Sequence, residues 1–306
     1  MTESLGTYRR TVEAMAMPFE VVLDGVGDSG GAALAVEAFH QDLLWANDVF
    51  TLWSPGSVLA RHVRGELTLE ECPVEVREVL DFCELFRERT GGAFDARGPG
   101  GSLDPTGIVK SWAVARATWR LDAVASSWMI GASGDVLTRG GVRDIGIANP
   151  RVQGNPQGTD VLDVVRLGPE HPALATSGGA QVVDHIWDPV TGEPARHFTQ
   201  VSVAGTDFVE CDAWATAICA GGLRTAGLAM AAGHEVLLIM GGRYDGTFEA
   251  QSSPGWPSVA TAIPASNSDP IKDHQENSSM CRCSSGAPHA RASARIASAQ
   301  MRGPHT

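Results

Sequence analysis

Asp212 and Thr216 stand four residues apart in "CDAWAT". On a helix, where successive residues turn by about 100°, that spacing puts a carboxylate and a hydroxyl on one face, about one turn apart. Such a pair suits a small hard cation such as Mg2+, which takes oxygen ligands and few protein contacts. The same residues also read as an Asp helix cap followed by a core-facing Thr. "HIWDPVTG", residues 185 to 192, allows two readings as well. Asp188-Pro189 and Thr191-Gly192 are strong turn formers, because Pro fixes φ and Gly takes positive φ freely. The stretch either ends a strand or mounts the His185 imidazole, the Asp188 carboxylate and the Thr191 hydroxyl beside a ligand.

"SLDPTGIVKSWAVARA" brings Asp104, Gly107 and Lys110 to a turn that leads into a helix. Free N–H groups and the positive end of the helix dipole suit a phosphate there, with Lys110 adding a charge. An ordinary helix start with a solvated Lys has the same pattern, and the Walker A spacing is absent. "TGGAFDARGPGG" and "GASGDV" are Gly clusters with one carboxylate each, Asp95 and Asp135. Neither fits G-x-G-x-x-G, so a Rossmann site has no support. "ALATSGGA" offers Thr176 and Ser177 beside Gly178, without the G-x-S-x-G elbow of a serine hydrolase.

The elements that must position these groups mix helices and strands without regular alternation, which predicts an α+β fold. A strand is expected at 19–23, followed by helices over 31–48, 73–92 and 108–120. In the second of these, Pro73 suits the first turn and Gly91 the position after the last. Short β-like runs follow at 127–132, 143–148, 161–167 and 198–205. "CDAWATAICAGG" reads as a helix ending at a Gly pair, "LRTAGLAMAAG" as another helix, and "EVLLIMGG" as a buried strand. From about residue 251 the chain is rich in Ser, Ala, Pro and His, and 258–306 reads as a low-complexity tail that cannot offset its ordering entropy.

The 306 residues suffice for one large domain or two small ones, and 43% hydrophobic with 19% charged residues describes a globular protein. A net charge of -13 argues against a nucleic-acid partner and requires local cations or a metal wherever an anion binds. No apolar stretch has the length of a signal peptide or a membrane span, so a cytoplasmic location without membrane insertion is expected. The six cysteines show no disulfide spacing, and Cys281 with Cys283 makes only half of a typical zinc shell.

The order of the motifs is more specific than any one of them. "TGGAFD", "LDPTGIVKSWAVARA", "SGDV", "ALATSG", "HIWDPVTGEPA" and "CDAWATA" resemble, in that sequence, the ApbE family of FAD:protein FMN transferases. The resemblance runs over residues 12 to 257, making 1–257 the expected flavin transferase domain. It implies a two-lobed α+β fold with FAD between the lobes and Mg2+ at its pyrophosphate. The implied activity transfers FMN from FAD to a Thr or Ser hydroxyl of a flavin-accepting target protein and releases AMP. Carried onto this chain, it makes Asp212, Thr216 and the Gly107 carbonyl the metal contacts. Asp104 and Lys110 belong to the FAD-binding turn, and Asp135 becomes a flavin-contacting acid. Met15 and Thr176 fall at flavin-site positions, with Asp188 and Thr191 shaping the loop or lying near the phosphates, while His185 activates the acceptor hydroxyl. The chain departs from the family at Ala16 and Met17 of Met15-Ala16-Met17, at Val63, at Ser133, and at Ala180 and Val182. An FAD pyrophosphatase and a non-catalytic FAD-binding protein are the alternative expectations.

Overall fold

The computed structural model describes residues 5–98, 100–150, 161–178, 186–241, 248–261 and 269–270. The chain opens with a hairpin, β1 (Gly6–Ala14) and β2 (Met17–Val26). Helix α1 (Ser29–Phe50) starts where the Asp28 carboxylate accepts the Gly30 and Gly31 N–H groups, and buries Val36, Phe39, Leu43 and Phe50. Next come α2 (Val58–Val63), α3 (Val74–Arg89), α4 (Thr106–Ala117) and a short α5 (Trp119–Asp122). Strands β3 (Ser127–Ala132), β4 (Asp135–Arg139), β5 (Arg143–Ala148), β6 (Val161–Leu167), β7 (Ala173–Gly178) and β8 (Gln200–Gly205) precede the long helix α6 (Phe208–Ala231). Strands β9 (Glu235–Gly241), β10 (Phe248–Ser252), β11 (Ser258–Thr261) and β12 (Asp269–Pro270) follow.

Among the described residues, nine strands form one sheet in the order β1-β2-β3-β4-β7-β8-β9-β10-β12, and β11-β6-β5 form a second. Strand alternation gives the large sheet two apolar faces. Ala173, Ala175, Val201, Val203, Val236 and Leu238 join the core beneath the helices. Their neighbours Leu174, Ala204, Leu237 and Ile239 point the other way and pack with Ile145, Val165 and Leu167 of the small sheet. The result is the expected α+β arrangement, with one core on each face of the sheet.

The two helices expected on either side of the Gly pair are the two segments of α6, which meet at a kink where Gly222 has φ 68° and ψ -156°. Two short strands, β11 and β12, fall inside the stretch expected to lack structure. The first pairs with β6, drawn there by the Ser258 hydroxyl, which donates to the buried Asp163 carboxylate at 2.7 Å.

Two hairpin turns meet at one end of the large sheet. Ala14 pairs with Met17, leaving Met15 and Ala16 as a two-residue turn at φ 50° and 59°. Ala132 pairs with Asp135 across Ser133 (φ 50°) and Gly134 (φ 94°). Two central residues at positive φ suit the right-handed twist of the flanking strands, a geometry that favours Asn or Gly over Ala or Ser. Because β2 pairs with β3, the turns are neighbours, and the Ser133 hydroxyl donates to the Met17 thioether at 3.5 Å.

Candidate functional site

Lys110, in the second turn of α4, projects toward the sheet where α4 crosses α6. It forms an ion pair with Asp135, the first residue of β4, and lies 3.8 Å from Asp212 Oδ2 on α6. Asp135 is 1% exposed and Asp212 4%, so two buried carboxylates share one ammonium. The Thr176 N–H donates to Asp135 Oδ1 at 2.8 Å and fixes that carboxylate from the neighbouring strand. Asp212 Oδ2 is buried without a hydrogen-bond donor. Burial pushes the Asp212 carboxyl up to about 7, with the Asp135 charge adding to the rise and Lys110 opposing it. Burial works against the charge on Lys110, but the two carboxylates outweigh it and hold the ammonium above its ordinary value.

The start of α6 is tied down two residues before Asp212. Asp207 caps the helix by accepting the Glu210 N–H at 2.9 Å. Glu210 accepts two bonds from Arg89 at the end of α3, at 2.6 and 3.2 Å, and lies 3.0 Å from His234 Nε2 ahead of β9. A bidentate guanidinium clamp fixes orientation as well as distance. Trp214 packs edge-on to Phe86, and Arg89 lies over both rings. These contacts set the rotation of α6, and that rotation aims Asp212 at Lys110.

One turn further along α6, the Thr216 hydroxyl lies 3.3 Å from the Ser177 hydroxyl on β7. Ser177 has the parity of Ala173 and Ala175, which face the helices, whereas Thr176 has the parity of Leu174, which faces the small sheet. The Thr176 hydroxyl accordingly pairs with Ser202 of β8 at 2.9 Å, on the face away from Thr216. Ser177 therefore lies on the Thr216 side of β7, while Thr176 reaches Asp135 through its backbone N–H. The signal for this in the sequence was the strand period of two.

The remaining expected residues lie around this centre. Asp104 is exposed and accepts the Thr106 N–H and hydroxyl at 3.0 and 2.5 Å, shaping the turn that opens α4, with Gly107 in the first helical turn. Met15 sits partly buried against the core in the β1 to β2 turn. Asp188 accepts the Val190 N–H at 2.8 Å, and the Thr191 hydroxyl accepts the Glu193 N–H at 3.3 Å. Both residues thus build a tight loop closed by a bridge between Trp187 and Pro194. His185, Ala180 and Val182 lie outside the described residues.

The ApbE family model matches residues 96–239, the span that contains Lys110, Asp135, Ser177, Asp212 and Thr216. The fold is likewise similar to solved ApbE structures. The flavin transferase ApbE from Vibrio cholerae aligns with TM-score 0.67 at 19% identity, over 82% of this chain and 98% of its own. The Pseudomonas stutzeri flavinyl transferase ApbE in its apo form aligns with TM-score 0.66 at 19% identity, over 82% and 95%. The ApbE protein of Thermotoga maritima gives 0.63 at 23% identity, over 76% and 94%. No curated protein sequence matches the chain.

Among the described residues no group of three or more His, Cys, Asp or Glu side chains is placed to hold a metal ion. This centre nevertheless suits one hard cation. Two carboxylates against one ammonium leave a buried net negative charge, and Asp212 Oδ2 has an open lone pair. No helix among the described residues is long and apolar enough to cross a membrane.

Proposed function

We propose that the protein transfers FMN from FAD to a Thr or Ser hydroxyl of a target protein and releases AMP. The observation that carries this reading is the convergence of Lys110, Asp135 and Asp212 inside the region that the ApbE family model matches, where Asp212 Oδ2 shares a single ammonium and accepts no hydrogen bond. A bound Mg2+ would be held by Asp212, the Thr216 hydroxyl and the Gly107 carbonyl, and would supply neutralisation of the pyrophosphate charge. In phosphoryl transfer the protein mainly positions groups and offsets spreading negative charge. Lys110 holds both carboxylates in register and adds a positive charge beside the phosphates. Asp135, oriented by the Thr176 N–H, keeps Lys110 at the site. Asp104 and Gly107 open α4 so that its first N–H groups face an anion.

His185 takes the proton of the acceptor hydroxyl, a role that an imidazole with an unperturbed pKa near ~6.5 can fill at neutral pH. The acceptor oxygen then bonds to the FMN phosphorus, the bond from that phosphorus to the bridging oxygen breaks, and AMP leaves with that oxygen. Asp188 and Thr191 hold the loop that follows His185. The flavin lies at the hairpin turns that carry Met15 and Ser133.

The test is AMP release from FAD with Mg2+, measured with and without an acceptor protein carrying an exposed Thr, for the wild type and for His185→Ala. Release that needs both the acceptor and His185, with flavin retained on the acceptor after denaturation, supports transfer. Release at the same rate without acceptor would replace transfer by FAD hydrolysis. FAD binding without release would leave a flavin-binding protein.

A further inference from the structure

We infer that Ser177 is a positioning residue for the metal contact at Thr216: it accepts the Thr216 hydroxyl proton and so turns a Thr216 lone pair toward the cation. The inference rests on the metal reading proposed above and adds a residue to it. A threonine hydroxyl has one proton and two lone pairs, so its value as a ligand depends on where that proton goes. On a helix the default acceptor is a carbonyl of the preceding turn, which rotates the oxygen back along the helix and away from a ligand. Ser177 Oγ lies 3.3 Å from Thr216 Oγ1 and offers an acceptor on the sheet side instead. With its proton held there, the Thr216 oxygen keeps a lone pair free on the side shared with Asp212, one turn earlier on α6.

Ser177 is itself well placed to hold this orientation. It belongs to β7, next to the strand that carries Asp135, and its backbone pairs with Val201 of β8. The next residue, Gly178, adopts φ 151°, and a Cβ there would lie 2.4 Å from the Thr199 carbonyl, so the strand passes very close to its neighbour. The hydroxyl that faces Thr216 is therefore mounted on rigid sheet, and its own proton remains available for a phosphate oxygen. Outer partners of metal ligands commonly change affinity by about 10- to 100-fold when removed.

The test is Mn2+ binding to the full chain with FAD present, with free Mn2+ counted by electron paramagnetic resonance. It compares the wild type, Asp212→Ala, Ser177→Ala and Ser177→Thr. Ser177→Ala is expected to weaken Mn2+ by about tenfold or more, and Ser177→Thr, which keeps the hydroxyl, to stay close to the wild type. Thermal midpoints measured in EDTA are expected to match between the wild type and Ser177→Ala, which separates positioning from a general loosening of β7. If Asp212→Ala loses Mn2+ while Ser177→Ala binds like the wild type, the role of Ser177 is overturned and the metal site stands. If the wild type binds no Mn2+, or Asp212→Ala binds as well as it does, the metal reading fails and this inference fails with it.

Discussion

Replacing Lys110 by Met tests the buried charge cluster directly. The Lys110 side chain is 19% exposed and its ammonium serves two carboxylates that are almost fully buried, so its removal leaves both without this counter-charge. Breaking a buried ion pair by removing one partner costs about 3–5 kcal/mol. The cost depends on pH, because the carboxyls can take up protons instead. Asp212 already sits at about 7, chiefly through burial, and loses its main opposing influence when Lys110 is gone. A carboxyl whose folded pKa lies above its unfolded value near ~3.9 binds more protons when folded, so stability falls as pH rises toward the folded pKa. In the wild type that fall ends just above the Asp212 value. In Lys110→Met the folded pKa is higher, and the fall continues beyond it. Urea unfolding in EDTA should therefore show a small deficit near about pH 5, growing to about 3–5 kcal/mol near about pH 8. Adding Asp212→Asn should recover part of the loss at the higher pH. A deficit of equal size at both pH values, or none at either, would refute the claim that Lys110 is the counter-charge of the two buried carboxylates.

Ala16 is exposed and sits at φ 59°, a conformation that costs an L-residue about 1–2 kcal/mol, while glycine gives back about 0.5–1 kcal/mol in chain entropy. Ala16→Gly should thus raise stability by about 0.5–1 kcal/mol, seen as a higher urea midpoint at unchanged slope. Gly222→Ala should do the reverse, because φ there is 68° and a Cβ would sit 3.2 Å from His197 Nδ1; a loss of about 1–2 kcal/mol or more is expected by calorimetry. Asp163 accepts bonds from the Trp256 indole at 2.9 Å, the Ser258 hydroxyl at 2.7 Å and the Val164 N–H at 2.8 Å. Asp163→Ala should cost about 1–3 kcal/mol and speed proteolysis after Ser253 by releasing β11, with unchanged cleavage speaking against that anchor.

Much of the framework was readable in the chain itself. The 3.6-residue pattern of Val36, Phe39, Leu43 and Phe50 marks α1, and the short, largely apolar runs "VLDVVRL" and "EVLLIMGG" mark buried strands. The four-residue step from Asp212 to Thr216 already placed both on one helical face. Strands β1, β4 and β7 were not legible. "DVLTR" is short, and "ALATSG" contains no β-branched residue except Thr176, so both are strands because the sheet around them supplies their partners. Likewise "SVAT" looks like tail, and becomes β11 because the backbone of β6 and the Asp163 carboxylate receive it.

The sequence by itself determined the main helices, the buried strands and which residues carry charge or hydroxyl groups, because helix and strand periods and turn chemistry are local properties of the chain. Tertiary structure alone decided which of those groups meet. Lys110, Asp135 and Asp212 lie far apart in the chain, and only the crossing of α4 and α6 over β4 and β7 brings them to one buried point. The choice between Thr176 and Ser177 was decided there too, since a strand sends adjacent side chains to opposite faces and only the position of α6 says which face carries the site.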